Sequence, residues 1–338
     1  MGAGKTKEEL FAQFSELEQK YESTGQNMSN YLQGLLYANP LKYWDYTYVE
    51  TLLSLQRPKT DFPDEMVFII YHQITELYFK LVLHELDQIC NNGKIIAENG
   101  EDLGWKEELK VDLFIDRMKR INKYFEALTM SFDIMVNGME KDQFLKFRMS
   151  LLPASGFQSA QYRIIEISST DIINLVHKDK REELSNATIE EQSEHFYWKE
   201  GAKELETGKK TLMLKNFEKK YMEEFLNCAH TFKSKNLLSK FKALSAKDQK
   251  NKTLVSELRR FDEHVNVNWP LVHYKSAVRY LHMKEADIVA TGGTNWQKYL
   301  PPRFQKRIFY PDLWTTKEKE NWGKRWVEEA LGQEKKKD

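Results

Sequence analysis

Asp64-Glu-Met-Val-Phe-Ile-Ile-Tyr-His72-Gln-Ile-Thr-Glu76-Leu-Tyr-Phe-Lys80-Leu-Val-Leu-His-Glu-Leu-Asp-Gln-Ile-Cys90-Asn91 is the stretch on which the fold turns. Val67, Phe68, Ile69, Ile70, Leu77, Phe79, Leu83 and Leu86 make it apolar almost all round. This predicts a helix over about 64–91, following Asp61-Phe62-Pro63, that is central and buried. His72, Gln73 and Glu76 lie inside it and need partners where they are buried.

Outward from this helix the chain keeps the same character. With 15 glycines and 8 prolines in 338 residues, punctuation is sparse. A first helix is expected from about Thr6 to Ser23, with Leu10, Phe14, Leu17 and Tyr21 on one face. A second should begin at Asn39-Pro40 and end before Pro58. Further helices are expected at about 104–136, 140–151, 158–176, 187–232 (with a possible interruption) and 247–282. A last amphipathic helix at about 315–331 would set Trp322 four residues from Trp326, and the tail at 332–338 would be frayed. No strand pattern stands out. The reading is one all-α domain over 1–338.

Composition narrows the function classes. Hydrophobic residues make up 41%, aromatic residues 13% and charged residues 30%, the mixture of a folded globular protein. Lys plus Arg and Asp plus Glu both total 51. A chain without net charge offers no global field for nucleic acid or an anionic membrane, so neither partner is expected. Cys90 and Cys228 lack CxxC spacing, which argues against a disulfide scaffold or a thiolate zinc site and for a reducing compartment, the cytoplasm. No apolar run is expected to approach the ~20 residues of a spanning helix, and no secretory segment follows Met1. Met1-Gly2 with Thr6 fits a loose acylation pattern, and Gly4-Lys5-Thr6 resembles the end of a phosphate loop. The first is too short to be specific, and the second lacks its leading glycine and strand.

The eight histidines, at 72, 84, 177, 195, 230, 264, 273 and 282, form no HExxH pair, which counts against a zinc hydrolase. His72 on its apolar helix and His273 in Trp269-Pro-Leu-Val-His273 are either satisfied core residues or site residues. Phe144 and Arg148 are four apart on one helix face, ahead of Pro153-Ala-Ser155-Gly156-Phe157. Such a pair suits a ligand with a ring and a carboxylate, which arginine can grip bidentately, although a core Phe beside a capping Arg would look the same. Thr291-Gly-Gly-Thr294 could offer backbone N–H groups to an anion or be only a turn.

Taken together, these segments resemble the tryptophan 2,3-dioxygenase family, within the haem-dependent aromatic oxygenases. Phe68-Ile-Ile-Tyr-His72-Gln-Ile-Thr-Glu76-Leu-Tyr-Phe-Lys80 is similar to its His-Gln-x-x-Glu-Leu-Trp-Phe-Lys helix. Phe144 to Arg148, then Pro153 to Ser159 with Gln161, Arg163 and Glu166, is similar to its most diagnostic stretch. Tyr43-Trp-Asp-Tyr46, Trp269 with His273, and Thr291-Gly-Gly complete five blocks in order. The resemblance implies an all-α helical bundle of the tryptophan/indoleamine dioxygenase type that binds haem b. It implies cleavage of the indole C2–C3 bond of L-tryptophan with O2 to N-formylkynurenine, in tryptophan catabolism. His273 would be the proximal iron ligand, with Trp269, Ser155 and Gly156 near the haem. His72 would accept a hydrogen bond from the indole N–H. Phe68 and Phe144 would pack on the indole, Arg148 would hold the carboxylate, and Thr291 would contact the amino-acid end. Tyr43 and Tyr46 would line the pocket from a neighbouring subunit, with helices 6–56 exchanged in a homotetramer.

The chain departs from the family pattern in places. Pro270 stands where a basic residue is usual and predicts a kink or restart before His273. The stretch from 274 to 290 is longer, Ala290 replaces a glycine, and Asn295-Trp296 replaces a small pair. Two alternatives follow: a related haem-dependent monooxygenase that hydroxylates an indole or aromatic amino acid, and a cofactor-free helical interaction protein.

Overall fold

The computed structural model describes residues 6–37, 42–151, 156–204, 207–281 and 302–323. The chain divides into two compact units, Met1–Arg57 and Pro58–Asp338.

In the first unit, α1 (Lys7–Ser23) starts at a reciprocal cap: Thr6 Oγ1 accepts from the Glu9 N–H, and Glu9 accepts from the Thr6 N–H at 2.8 Å. After α2 (Met28–Tyr37) come α3 (Tyr43–Thr47) and α4 (Val49–Leu53). The single helix expected up to Pro58 is broken at Tyr48, whose φ of 51° is left-handed; its expected start at Asn39-Pro40 lies outside the described residues. None of these four helices buries a residue.

The second unit is built around α5 (Pro63–Cys90), with Pro63 in its first turn. α5 packs along α6 (Val111–Ser131) and later along α9 (Ala160–Ser169). Phe79, Val82, Leu86 and Ile89 are almost fully buried there. Each such side chain contributes about 1.5–3 kcal/mol relative to exposure. Contrary to the sequence expectation, α5 is long and apolar enough, by length and composition, to cross a membrane. In this structure it is a bundle helix that also buries two carboxylates. Glu65 accepts from the Lys59 and Thr60 N–H groups at 2.7 and 2.8 Å, and Glu85 is met by Arg117 at 3.0 Å, Arg120 at 3.3 Å and Tyr124 at 3.2 Å.

Two strands follow α5, β1 (Lys94–Ile96) and β2 (Asp102–Trp105), paired antiparallel with Lys94 opposite Trp105. This corrects the expectation of no strands, and of a helix from 104. Gly93, Gly100 and Gly104 all have positive φ, which stops a helix and turns the chain back. Runs of three and four residues are too short to show alternation.

α7 (Asp133–Asn137) and α8 (Lys141–Phe147) come next, and α8 tightens into a 3-10 turn, Arg148–Leu151. The helix expected at 158–176 is α9 plus a 3-10 turn, Ile172–Leu175. The stretch 187–232 is interrupted into α10 (Ile189–Glu194), α11 (Tyr197–Glu200) and α12 (Leu212–Phe232), with fresh caps at Thr188 and Thr211. α13 (Leu237–Ala243) and α14 (Ala246–Gln249) lead to α15 (Lys252–Glu263).

Between α15 and α16 (Trp269–Leu281) runs a π-helical turn, His264–Asn268. Its last bond is Trp269 N–H to His264 O, five residues back. The next such bond would need an N–H on Pro270, which has none. The Val265 carbonyl so released accepts instead from Tyr162 Oη at 2.9 Å and Arg307 Nη2 at 3.3 Å. Pro270 thus brings no restart: the helix passes it on a wide turn whose spare carbonyl is satisfied from outside.

The segment after residue 302 closes this side. Asp262 accepts from the Phe309 N–H (2.9 Å), the Tyr310 N–H (3.1 Å), Trp314 Nε1 (2.9 Å) and Asn266 Nδ2 (2.7 Å). Burial pushes its carboxyl up to about 6 against those donors. Trp322 packs on Trp314 at 4.9 Å, just after a helix spanning Thr316–Glu320; Trp326 and the tail lie outside the described residues.

Candidate active site

Three helices bring the sequence-selected residues together. α5 carries Phe68 and His72, α8 carries Phe144 and leads into Arg148, and α16 carries Trp269 and His273. On α5, Phe68 lies one turn below His72, with ring centroids 4.1 Å apart. Phe68 meets Phe144 at 6.2 Å and Phe147 at 5.7 Å, so the facing aromatic wall is shared by α5 and α8.

Both imidazoles have a defined free nitrogen. His72 Nδ1 lies 2.7 Å from Phe68 O, and His273 Nδ1 lies 2.8 Å from Trp269 O. A carbonyl only accepts, so each Nδ1 is the protonated nitrogen, and each Nε2 keeps its lone pair. Burial pushes the His273 ring down to about 4, only partly offset by that carbonyl bond, and the nearby His72 lowers it further. Burial also holds His72 below its ordinary value. Both rings are neutral at pH 7. Crowding and solvent exposure diverge at His72: the side chain is exposed, yet enough protein surrounds it to depress its ionisation.

The floor under His273 is aromatic. Phe132 lies 4.4 Å from its ring and Trp269 lies 4.5 Å away, edge-on, while Phe132 itself abuts Trp269 and Tyr71. Sequence reasoning missed Phe132, which carries no motif.

Arg148 is electrostatically unusual. Among the described residues its Nε and Nη1 atoms, which are buried, have no hydrogen-bond partner, and burial lowers its pKa with no opposing carboxylate. A desolvated guanidinium lacking a counter-charge is costly unless an anion completes it. By contrast, Arg163, of the same motif, is charge-paired, although its Nε too has no partner: Nη1 meets Glu166 at 2.9 Å and Tyr197 Oη at 2.8 Å, and Arg307 joins both partners. Arg163 and Glu166 therefore hold α9 to the segment after 302. Gln161 has a related duty, donating to Glu76 O and to its carboxylate at 2.8 Å, which supplies the partner that Glu76 needs on α5.

Gly156 opens a 3-10 turn, Gly156–Gln158. Ser155 and Thr291 lie outside the described residues. Tyr43 and Tyr46 belong to α3 of the first unit, where both are exposed.

Among the described residues, no three His, Cys, Asp or Glu side chains gather as a bare metal ion would require. One neutral imidazole with a free Nε2 is instead the donor set of an iron whose other ligands come from a porphyrin. His273 fits that chemistry, with its Nδ1–H held by a carbonyl that fixes the ring and raises its basicity.

The fold and site define a class: a helical protein with a neutral histidine pair, an aromatic wall and an unpaired guanidinium, suited to a flat aromatic acid. A sequence profile of tryptophan 2,3-dioxygenase matches residues 33–267, and the chain belongs to that family. Relatives carrying that name include proteins of Ruegeria sp. (strain TM1040), 37% identical over 130 residues, and Bacillus thuringiensis (strain Al Hakam), 35% identical over 126. Another, of Polaromonas naphthalenivorans (strain CJ2), is 33% identical over 132. These alignments cover 38%, 37% and 39% of this chain and 42%, 40% and 42% of the relatives, so it spans about two-fifths of their length. No finding favours the hydroxylating relative or the cofactor-free interaction protein.

Proposed function

We propose that the chain is a haem-dependent dioxygenase that opens the indole ring of L-tryptophan with O2, giving N-formylkynurenine. The observation that carries this reading is Arg148: two buried guanidinium nitrogens without a partner, one turn beyond an aromatic wall. A ligand bearing both a ring and a carboxylate completes that arrangement.

His273 would hold haem b through Nε2. When bound, haem supplies an iron that takes up dioxygen and makes it reactive towards the electron-rich indole. The chain's own residues do the positioning. His72, neutral and with Nε2 free, accepts from the indole N–H. Phe68 and Phe144, in contact on one wall, would pack on the indole. Arg148 would take the carboxylate, with Thr291 at the amino-acid end, and Ser155 and Gly156 would help to hold the haem. A guest lacking the carboxylate leaves Arg148 buried and unpaired, which gives the site its selectivity.

Assembly follows from uncovered apolar surface. Met66, Ile70, Ile74, Leu77 and Leu81 recur at helical spacing on α5 and are exposed, as are Leu10, Phe14 and Leu17 on α1. Surfaces of this kind are met by partners. The proposed partner is the chain itself, in a homotetramer that exchanges helices 6–56 and so brings Tyr43 and Tyr46 to a neighbour's pocket. The cytoplasm suits the two cysteines, which are free.

The test is an absorption spectrum of the purified chain, with and without dithionite, then with L-tryptophan under air. A haem band that shifts on reduction, followed by accumulation of N-formylkynurenine, supports the proposal. A hydroxylated indole as product, or a protein that stays colourless with haem supplied, overturns it.

A further inference from the structure

Asp64 and Gln143 cap each other's helices. Asp64 Oδ2 accepts from the Glu140 N–H at 2.6 Å, at the start of α8. Gln143 Oε1 accepts from the Asp64 N–H at 3.2 Å, in the first turn of α5. Gln143 Nε2 in turn donates to Glu140 Oε2 at 2.8 Å, which fixes the amide's orientation. Each helix start leaves N–H groups without an internal partner, and here each supplies the acceptor the other needs.

The corner sets the geometry of the site beyond it. Residues 64, 68 and 72 lie on one face of α5, four apart, and residues 140, 144 and 148 follow the same spacing through α8. The first pair, Asp64 and Glu140, is hydrogen-bonded, and the second pair, Phe68 and Phe144, is in ring contact at 6.2 Å. His72 and Arg148 come next along the same two spacings. Two helices running the same way from a shared lock keep their levels aligned, at about 6 Å per four residues. The third site helix docks at the same place. Tyr280, two turns beyond His273, donates to Met139 O at 3.2 Å and sets its ring 4.6 Å from Phe144.

We propose that Asp64 and Gln143 are positioning residues that fix the level of Arg148 against His72, and thereby the reach between indole and carboxylate that the site accepts. The proposal rests on the tryptophan reading above. Neither residue touches the ligand; each acts through the helix register.

The test compares the haem-loaded full chain with Asp64→Ala, Asp64→Asn and Gln143→Ala variants, titrated calorimetrically with L-tryptophan and with tryptamine, which lacks the carboxylate. Asp64→Ala is expected to weaken L-tryptophan about tenfold while leaving tryptamine unchanged, because displacing Arg148 affects only the ligand it grips. Gln143→Ala should do the same to a smaller extent. Asp64→Asn, which keeps an acceptor for the Glu140 N–H, should restore the L-tryptophan affinity. In an Arg148→Ala background, Asp64→Ala should have no further effect. Equal losses for the two ligands, an additive double variant, or no rescue by Asn would overturn the proposal. Amide hydrogen exchange gives a reading that needs no ligand: Asp64→Ala must speed exchange at 140 and on through 144–148. If the unaltered chain bound no L-tryptophan, the substrate reading would fall. The lock would then be judged by exchange alone, and unchanged exchange would end it.

Discussion

His72 and His273 make the same bond in different helices: each Nδ1 rests on the carbonyl four residues behind it, at 2.7 and 2.8 Å. Each ring is therefore presented in one tautomer, with Nε2 free. His273→Ala is expected to abolish stable haem incorporation, read as loss of the haem absorption band in protein made with ample haem. A variant that retained the full band would show that iron is held elsewhere.

Arg148→Ala should weaken L-tryptophan binding by roughly 2–5 kcal/mol, the usual cost of truncating one partner of a buried charge pair. Tryptamine affinity should hardly change. Titration of both ligands checks this, and an unaltered tryptophan affinity would reverse the assigned ligand orientation.

Asp262→Asn should destabilise the second unit by about 1–3 kcal/mol at pH 7, since one amide oxygen cannot replace a carboxylate that accepts four donors. Urea denaturation measures the loss. Hydrogen exchange should show it first at the Phe309 and Tyr310 amides, which Asp262 now holds.

Stability should rise with pH between about 4 and 6. His273 and His264 both sit at about 4 when folded, against 6.5 for the free ring, so their contribution is complete above 6.5 and is lost as pH falls through 4. Asp262 acts the other way: it is raised from 3.8 to about 6, so its contribution is present below 3.8 and is lost as pH rises through 6. In that window the unfolded chain holds two more histidine protons and one fewer aspartate proton. The net difference of one proton gives a slope of roughly 1.4 kcal/mol per pH unit. His72, also held low, adds to it in the same sense. Denaturation of the haem-free chain across this range is the check, and His264→Phe should flatten the profile. A stability maximum near pH 5 would contradict the assignment.

Much of the fold and of the site is legible in the amino-acid sequence. The apolar pattern picks out α5, around which the second unit is built, but the expectation of burial all round fails, since Ile70 and Leu77 are exposed; the spacing of Phe144 and Arg148 suggests a ring-and-carboxylate pocket. The family blocks then single out two histidines among eight. What escapes is non-local. The β1–β2 hairpin is too short to alternate, and its cause is glycine backbone geometry. Phe132 carries no motif, and it reaches His273 through the packing of the α6–α7 junction on α16. The pairing of Asp64 with Glu140 spans 76 positions along the chain, and nothing in either neighbourhood announces it. Likewise, Pro270 signals trouble, but its resolution depends on Tyr162 and Arg307, from distant segments, finding the Val265 carbonyl.

The wide turn ahead of Pro270 contains one residue more than an ordinary turn would use, and each residue rotates a helix by about 100°. Deleting any single position between His264 and Asn268 would remove that extra residue and turn His273 by about 100° relative to α15. Every residue of the proposed haem and tryptophan site would still be spelled out in such a protein, and the iron ligand would face the wrong way. The site is written in a residue count as well as in residue identities.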